Sequence, residues 1–154
     1  MRLPKQVLII PYRMTNQKIE YCILKRKNMQ IWQWVAGGVE DFDKDIMCAA
    51  KREMNEEIGI SEDVDMVELE CFTKIPVVNI VKEFKWGENV YYADEYSFAA
   101  NISDKQIKIS EEHSEYKWVS YDEARNLLKY DSNKSALWEL NEKIRRNNNE
   151  SNWK

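Results

Sequence analysis

Gly38-Val39-Glu40-Asp41-Phe42-Asp43-Lys44-Asp45-Ile46-Met47-Cys48-Ala49-Ala50-Lys51-Arg52-Glu53-Met54-Asn55-Glu56-Glu57-Ile58-Gly59-Ile60 is the stretch around which the rest of the chain is organised. Ile46, Ala49, Ala50 and Met54 recur at helical spacing, Gly59 is a suitable stop, and Asp43 or Asp45 offers a cap, which predicts a helix over 45–58. Glu53 stands three residues before Glu56 and four before Glu57, so the carboxylates share one helix face. Like charges so placed repel, and the helix gains nothing structural from them. A hard divalent cation would relieve the repulsion, because such ions choose carboxylate oxygens. Arg52 adjoins the cluster and can pair with a carboxylate or a phosphate. Taken alone, an acidic helix face reads as solvated surface. Its context argues otherwise: Gly37-Gly38 ends a predicted strand and leads into the helix through the acidic loop Glu40-Asp41-Phe42-Asp43. Glycine lets the backbone approach a ligand closely, and the Gly38 carbonyl can itself meet a metal.

Outward from this segment the pattern is mixed. Strands are predicted over Gln6–Met14, Glu20–Lys25, Trp32–Ala36, Val67–Ile75, Val90–Tyr92, Tyr96–Ile102 and Tyr116–Val119. Asn16-Gln17-Lys18 has turn chemistry between the first two. Ser120 with Glu123 forms a capping box for a helix through Lys129. A last helix, Ser132–Arg145, carries Ala136, Leu137, Leu140 and Ile144 on one stripe. Strands before, between and after helices predict an α/β fold, a mixed β-sheet packed between helices. Residues 1–146 are expected as a single domain and 147–154 as a frayed tail.

Composition narrows the function. A net charge of −4 and a pI near 5.2 argue against a basic face for a nucleic-acid polymer, but not against a small phosphorylated ligand. Cys22, Cys48 and Cys71, odd in number and without metal spacing, fit reduced thiols in a cytoplasmic protein. The N-terminal apolar run Val7–Ile10 is too short for a signal segment or a membrane span.

The run 38–60 resembles the Nudix box, Gly, five residues, Glu, seven residues, Arg-Glu-apolar-any-Glu-Glu-any-Gly-apolar, with Gly38, Arg52, Glu53, Met54, Glu56, Glu57, Gly59 and Ile60 in register. One position departs: Lys44 stands where the first box Glu is expected. Lysine can neither ligate a metal nor orient Arg52, so Asp43, Asp45 or Glu40 would have to take over. Leu24-Lys25-Arg26-Lys27 with Trp32-Gln33, Glu112-His113-Ser114-Glu115-Tyr116-Lys117-Trp118 and Ser132-Asn133-Lys134-Ser135-Ala136 look like the dihydroneopterin triphosphate pyrophosphatase branch of that family, whose members are often described as dATP pyrophosphohydrolases.

The resemblance implies a Nudix α/β/α sandwich and a pyrophosphohydrolase. Its substrate would be a nucleoside or pterin triphosphate and its ion Mg²⁺, with Mn²⁺ as an alternative. Glu53, Glu56 and Glu57 would hold the ion with the Gly38 carbonyl, and Arg52 would orient Glu53. Glu112 would be a fourth acidic ligand or the base, and Glu56 is the other candidate base. Arg26 and Lys134 could hold phosphates or be solvated surface. Trp32 and Trp34 could stack on a ring or pack the core. His113, the sole histidine, reads as a surface or structural residue or as a neighbour of the site. Trp86 is expected on a loop that could cover it. A monomer or homodimer is expected, without nucleic-acid or membrane partners. The rival reading is a nucleotide-binding module that Lys44 has rendered non-hydrolytic.

Overall fold

The apolar run Val7–Ile10 divides its side chains between two sheet faces, and this division organises the molecule. The structure, a computed structural model, describes residues 1–61 and 63–153, with side chains to residue 147. The chain order is β1 (Arg2–Thr15), β2 (Lys18–Arg26), β3 (Trp32–Gln33), β4 (Val35–Glu40), α1 (Ile46–Ile58), β5 (Asp65–Pro76), β6 (Tyr92–Asn101), β7 (His113–Val119), α2 (Tyr121–Leu127) and α3 (Asp131–Trp153), with a short 3₁₀ turn at Val77–Asn79. The frayed tail expected over 147–154 falls largely on residues whose side chains lie outside the described part. No helix among the described residues is long and apolar enough to cross a membrane.

Among the described residues the strands form a seven-stranded sheet of order β3-β2-β1-β6-β5, with β4 also on β1 and β7 also on β2. β1 runs parallel to β6 and antiparallel to β2 and β4, so the sheet is mixed. Val7 and Ile9 face α1, packing with Ala49, Ala50, Met54 and Ile58. Leu8 and Ile10 face the other way, toward Ala124 of α2 and Ala136, Leu137 and Leu140 of α3. This is the expected sandwich. Pro11, which has no N–H to give, sits where β1 changes partner, between the pairs Ile9↔Val35 and Tyr12↔Tyr21.

Two strand expectations needed correction. The strand read over Trp32–Ala36 is two short strands with different partners: Trp32 and Gln33 pair with β2, whereas Val35 begins a strand on β1. That second strand passes through Gly37 and Gly38 to Glu40 rather than ending at the glycines. The strands read over Val90–Tyr92 and Tyr96–Ile102 are one strand, β6, because residues from Tyr92 to Asn101 pair with β5. A shift between Glu68 and Phe72 interrupts that register. There Glu139 of α3 accepts the backbone N–H groups of Glu70 and Cys71 at 2.6 and 2.8 Å, fastening the helix to the sheet.

Candidate active site

Helix α1 is set by its ends. Asp45 is the N-cap, accepting from the Cys48 N–H, and Gly59 closes the helix in the left-handed conformation at φ 69°. So anchored, α1 buries Met54 and Ile58 and turns Glu53 and Glu57 toward β4 and the loop before β7. A Cβ at Gly37 would overlap the Glu53 carboxyl, so glycine here makes room for a carboxylate against a strand. The carbonyl of Gly38, expected as a metal contact, accepts from Arg52 Nη2 at 3.0 Å, and the open side of this glycine faces the Arg2 guanidinium. Gly37 is therefore the glycine that abuts the cluster.

Arg52 is held by Asp43, Glu53, Glu56 and the Gly38 carbonyl, and Asp43 grips it at two points, Nε to Oδ1 at 3.0 Å and Nη2 to Oδ2 at 2.8 Å. Of the substitutes expected for the residue missing at Lys44, Asp43 is the one used. Asp45 is occupied as the cap, and Glu40 lies 3.4 Å from the N-terminal ammonium. The Asp43 carboxylate also accepts the Glu40 N–H at 2.7 Å. Its hydrogen bonds from Arg52 hold its pKa below the ordinary value. Arg52 in turn reaches Glu53 Oε1 at 3.1 Å and Glu56 at 3.4 Å. Glu56 lies at the exposed rim of the site.

Burial, with Glu57 and Glu56 close by, pushes the Glu53 carboxyl up to about 8. Burial pushes Glu57 to about 8 as well, with Glu112 adding to the effect. Glu57 is 4% exposed, and its Oε2 is buried without a partner. The segment before β7 completes the site. Ser110 N–H binds the Glu57 carbonyl at 2.9 Å and Lys27 N–H binds the Glu112 carbonyl at 2.8 Å, which brings Glu112 and His113 to the end of α1. Glu57, Glu112 and His113 offer ligand atoms within 4.8 Å of one another. His113 is 3% exposed, with Nε2 at 2.9 Å from Glu57 Oε1, and burial lowers its pKa. Crowded carboxyl oxygens, one of them orphaned, and a glycine-lined wall suit a small hard divalent cation.

Beside the carboxylates a cavity of about 310 Å³ is lined by Arg26, Lys27, Asn28, Glu111 and Glu112. The other expected contacts scatter. Trp32 is half-buried under the ammonium groups of Lys25 and Lys117, 5.8 and 5.2 Å from its ring. Lys134 is half-buried on the first turn of α3 and makes no hydrogen bond or ion pair with the cluster among the described residues. Trp34 is wholly buried, its backbone N–H and indole N–H satisfied by Asn133 at 3.1 and 2.9 Å, so no face remains for stacking on a ligand. Trp86 is held by a hydrogen bond from its Nε1 to the Arg2 carbonyl at 2.8 Å.

A family model described as the NUDIX domain matches residues 2–139. The chain belongs to the Nudix family. A Nudix protein from Listeria monocytogenes, assigned to the hydrolases, is 40% identical, with a TM-score of 0.85 over 94% of this chain and 97% of that one. The Escherichia coli dihydroneopterin triphosphate pyrophosphohydrolase is 25% identical, with a TM-score of 0.73 over 91% and 97%. Among curated proteins, the asymmetrical bis(5′-nucleosyl)-tetraphosphatase of Rattus norvegicus is 30% identical over 132 residues, 85% of this chain and 84% of that protein. This Nudix chain is a hydrolase, similar to the branch that its sequence resembles and to a second, dinucleotide-cleaving group that the sequence reading had not named.

Proposed function

We propose that this Nudix hydrolase is a Mg²⁺-dependent pyrophosphohydrolase that cleaves a nucleoside or pterin triphosphate to the monophosphate and pyrophosphate. The observation that carries the reading is the half-buried Glu53 carboxyl set beside the buried Glu57 carboxyl, with Glu57 Oε2 unpartnered. Glu53 and Glu57, with Glu56 and Glu112 at the rim, would hold the cation. When bound, Mg²⁺ (or Mn²⁺) supplies charge neutralisation for phosphate oxygens and makes water more acidic. Arg52, itself gripped by Asp43, orients Glu53. Glu112 is exposed and free of Arg52, whereas Glu56 is engaged by it, so Glu112 takes the proton of the attacking water. Arg26 and Lys27 line the neighbouring cavity and would hold the outer phosphates. Lys134 remains a candidate for a phosphate and Trp32 for a ring, each from outside the carboxylate cluster. Three cysteines without disulfides support a reducing, cytoplasmic setting.

A second substrate reading, a bis(5′-nucleosyl) tetraphosphate, is favoured by the 30% identity to the rat enzyme. The rival in which Lys44 leaves a non-hydrolytic binding module is weakened by the two-point hold of Asp43 on Arg52. The test is a panel of nucleoside triphosphates, dihydroneopterin triphosphate and dinucleoside tetraphosphates, with products identified by mass spectrometry. Release of pyrophosphate from a triphosphate is expected. Recovery of every ligand intact would overturn the reading.

A further inference from the structure

His113 lies in the interior beside Glu57, their side chains only 1% and 5% exposed. Its place is fixed by the backbone. Arg26 and His113 face each other across β2 and β7, and the His113 N–H is bound to the Ser110 carbonyl at 3.2 Å. Its Nε2 points at Glu57 Oε1, 2.9 Å away, while Glu57 Oε2 has no partner. An imidazole nitrogen turned onto a carboxylate oxygen is not free to ligate, and hard cations choose oxygen in any case. A histidine so placed does for the carboxylate what an outer hydrogen-bond partner does for a metal ligand, fixing its orientation.

We infer that His113 is a positioning residue for Glu57: its Nε2–H, donated to Oε1, fixes the carboxylate so that Oε2 is presented to the cation. This rests on the metal-site reading above. Ligation through Nε2 is excluded on this inference, because the same nitrogen would have to serve two partners; Nδ1, buried without a partner, carries no proton in this tautomer.

His113 is the only histidine in the chain, so its ring nitrogens can be read without assignment ambiguity by ¹⁵N nuclear magnetic resonance of the 154-residue chain. With Mg²⁺ added, a neutral ring protonated at Nε2 is expected. Mn²⁺ affinity, followed by electron paramagnetic resonance, should weaken about 10–100-fold in His113→Ala. It should largely recover in His113→Gln, whose amide can donate in the same direction. Thermal unfolding in chelator shows that each variant is folded, and if His113→Ala is not, the ring tautomer and His113→Gln decide. A folded His113→Ala that binds Mn²⁺ as tightly as the parent overturns the inference, leaving the metal-site reading intact. A ring unprotonated at Nε2 in the loaded protein also overturns it. A parent chain that binds no Mn²⁺ at all overturns both.

Discussion

Asp43 and Arg52 form a two-point contact across nine residues of sequence, at 3.0 and 2.8 Å, with the Asp43 side chain only 4% exposed. That pair replaces the acid missing at Lys44, whose own side chain is exposed. Asp43→Ala is expected to cut turnover by about 10–100-fold, the usual cost of losing a group that orients a ligand-bearing residue. Lys44→Glu should change it by less than about threefold. Steady-state rates on the best substrate of the panel check both. A large gain from Lys44→Glu would show that the acid is needed at that position after all.

Gly37 is predicted to tolerate no side chain, since a Cβ would overlap the Glu53 carboxyl. Displacing that carboxylate by about 1 Å is enough for a loss of roughly 100-fold. Gly37→Ala should therefore lose activity on this scale while still unfolding cooperatively. Retention of full activity would mean that Glu53 does not act from this position.

The pH dependence of stability follows from the buried carboxyls. Glu53 and Glu57 titrate near 8 in the folded chain, raised from 4.5. Between those values the folded state binds protons that the unfolded state has released, so stability falls as pH rises. In chelator, the Tm should drop steadily from about pH 5 to pH 8 through these two groups. Mg²⁺ should restore most of that loss at pH 8 and little at pH 5, because a native-state ligand stabilises only where it binds. Thermal scans across pH with and without Mg²⁺ test this, and a stabilisation by Mg²⁺ that is equal at both ends would contradict it.

Much of this site is local in sequence and was readable there. The helix face of Glu53, Glu56 and Glu57, its Asp45 cap and its Gly59 stop depend on neighbours within a few residues. The continuous apolar run Val7–Ile10 likewise foretells a strand buried on both faces. What escaped depends on distant partners. Trp34 is equally apt for stacking or packing until Asn133, ninety-nine residues on, takes both of its N–H groups. Gly37 and Gly38 read as a strand end because glycine disfavours strands, but here β4 continues so that Glu53 and Arg2 can lie against it. His113 gave one sequence signal, its adjacency to Glu112, yet its contact with Glu57 spans fifty-six residues. Asp43 was one of three substitutes that spacing alone could not separate.

Glu139 lies remote from the chemistry and serves as a control. Its carboxylate accepts two backbone N–H groups of β5, and Glu139→Ala leaves both without that partner. A loss of about 1–3 kcal/mol in stability is expected, with kcat/KM unchanged. Chemical denaturation beside steady-state kinetics separates the two effects. A change in activity at full occupancy of the folded state would mean that α3 reports to the site.

The most direct test of metal-dependent hydrolysis is the rate of pyrophosphate release as Mg²⁺ is titrated, with Glu57→Gln measured alongside. Glutamine at position 57 keeps the size of the side chain and removes only the capacity to become a carboxylate, whose pKa burial already raises. Turnover by the parent that rises from nothing to saturation with Mg²⁺, and falls at least about 100-fold in Glu57→Gln, is expected for a site of this kind. Turnover that is independent of Mg²⁺, or undiminished in Glu57→Gln, would contradict it.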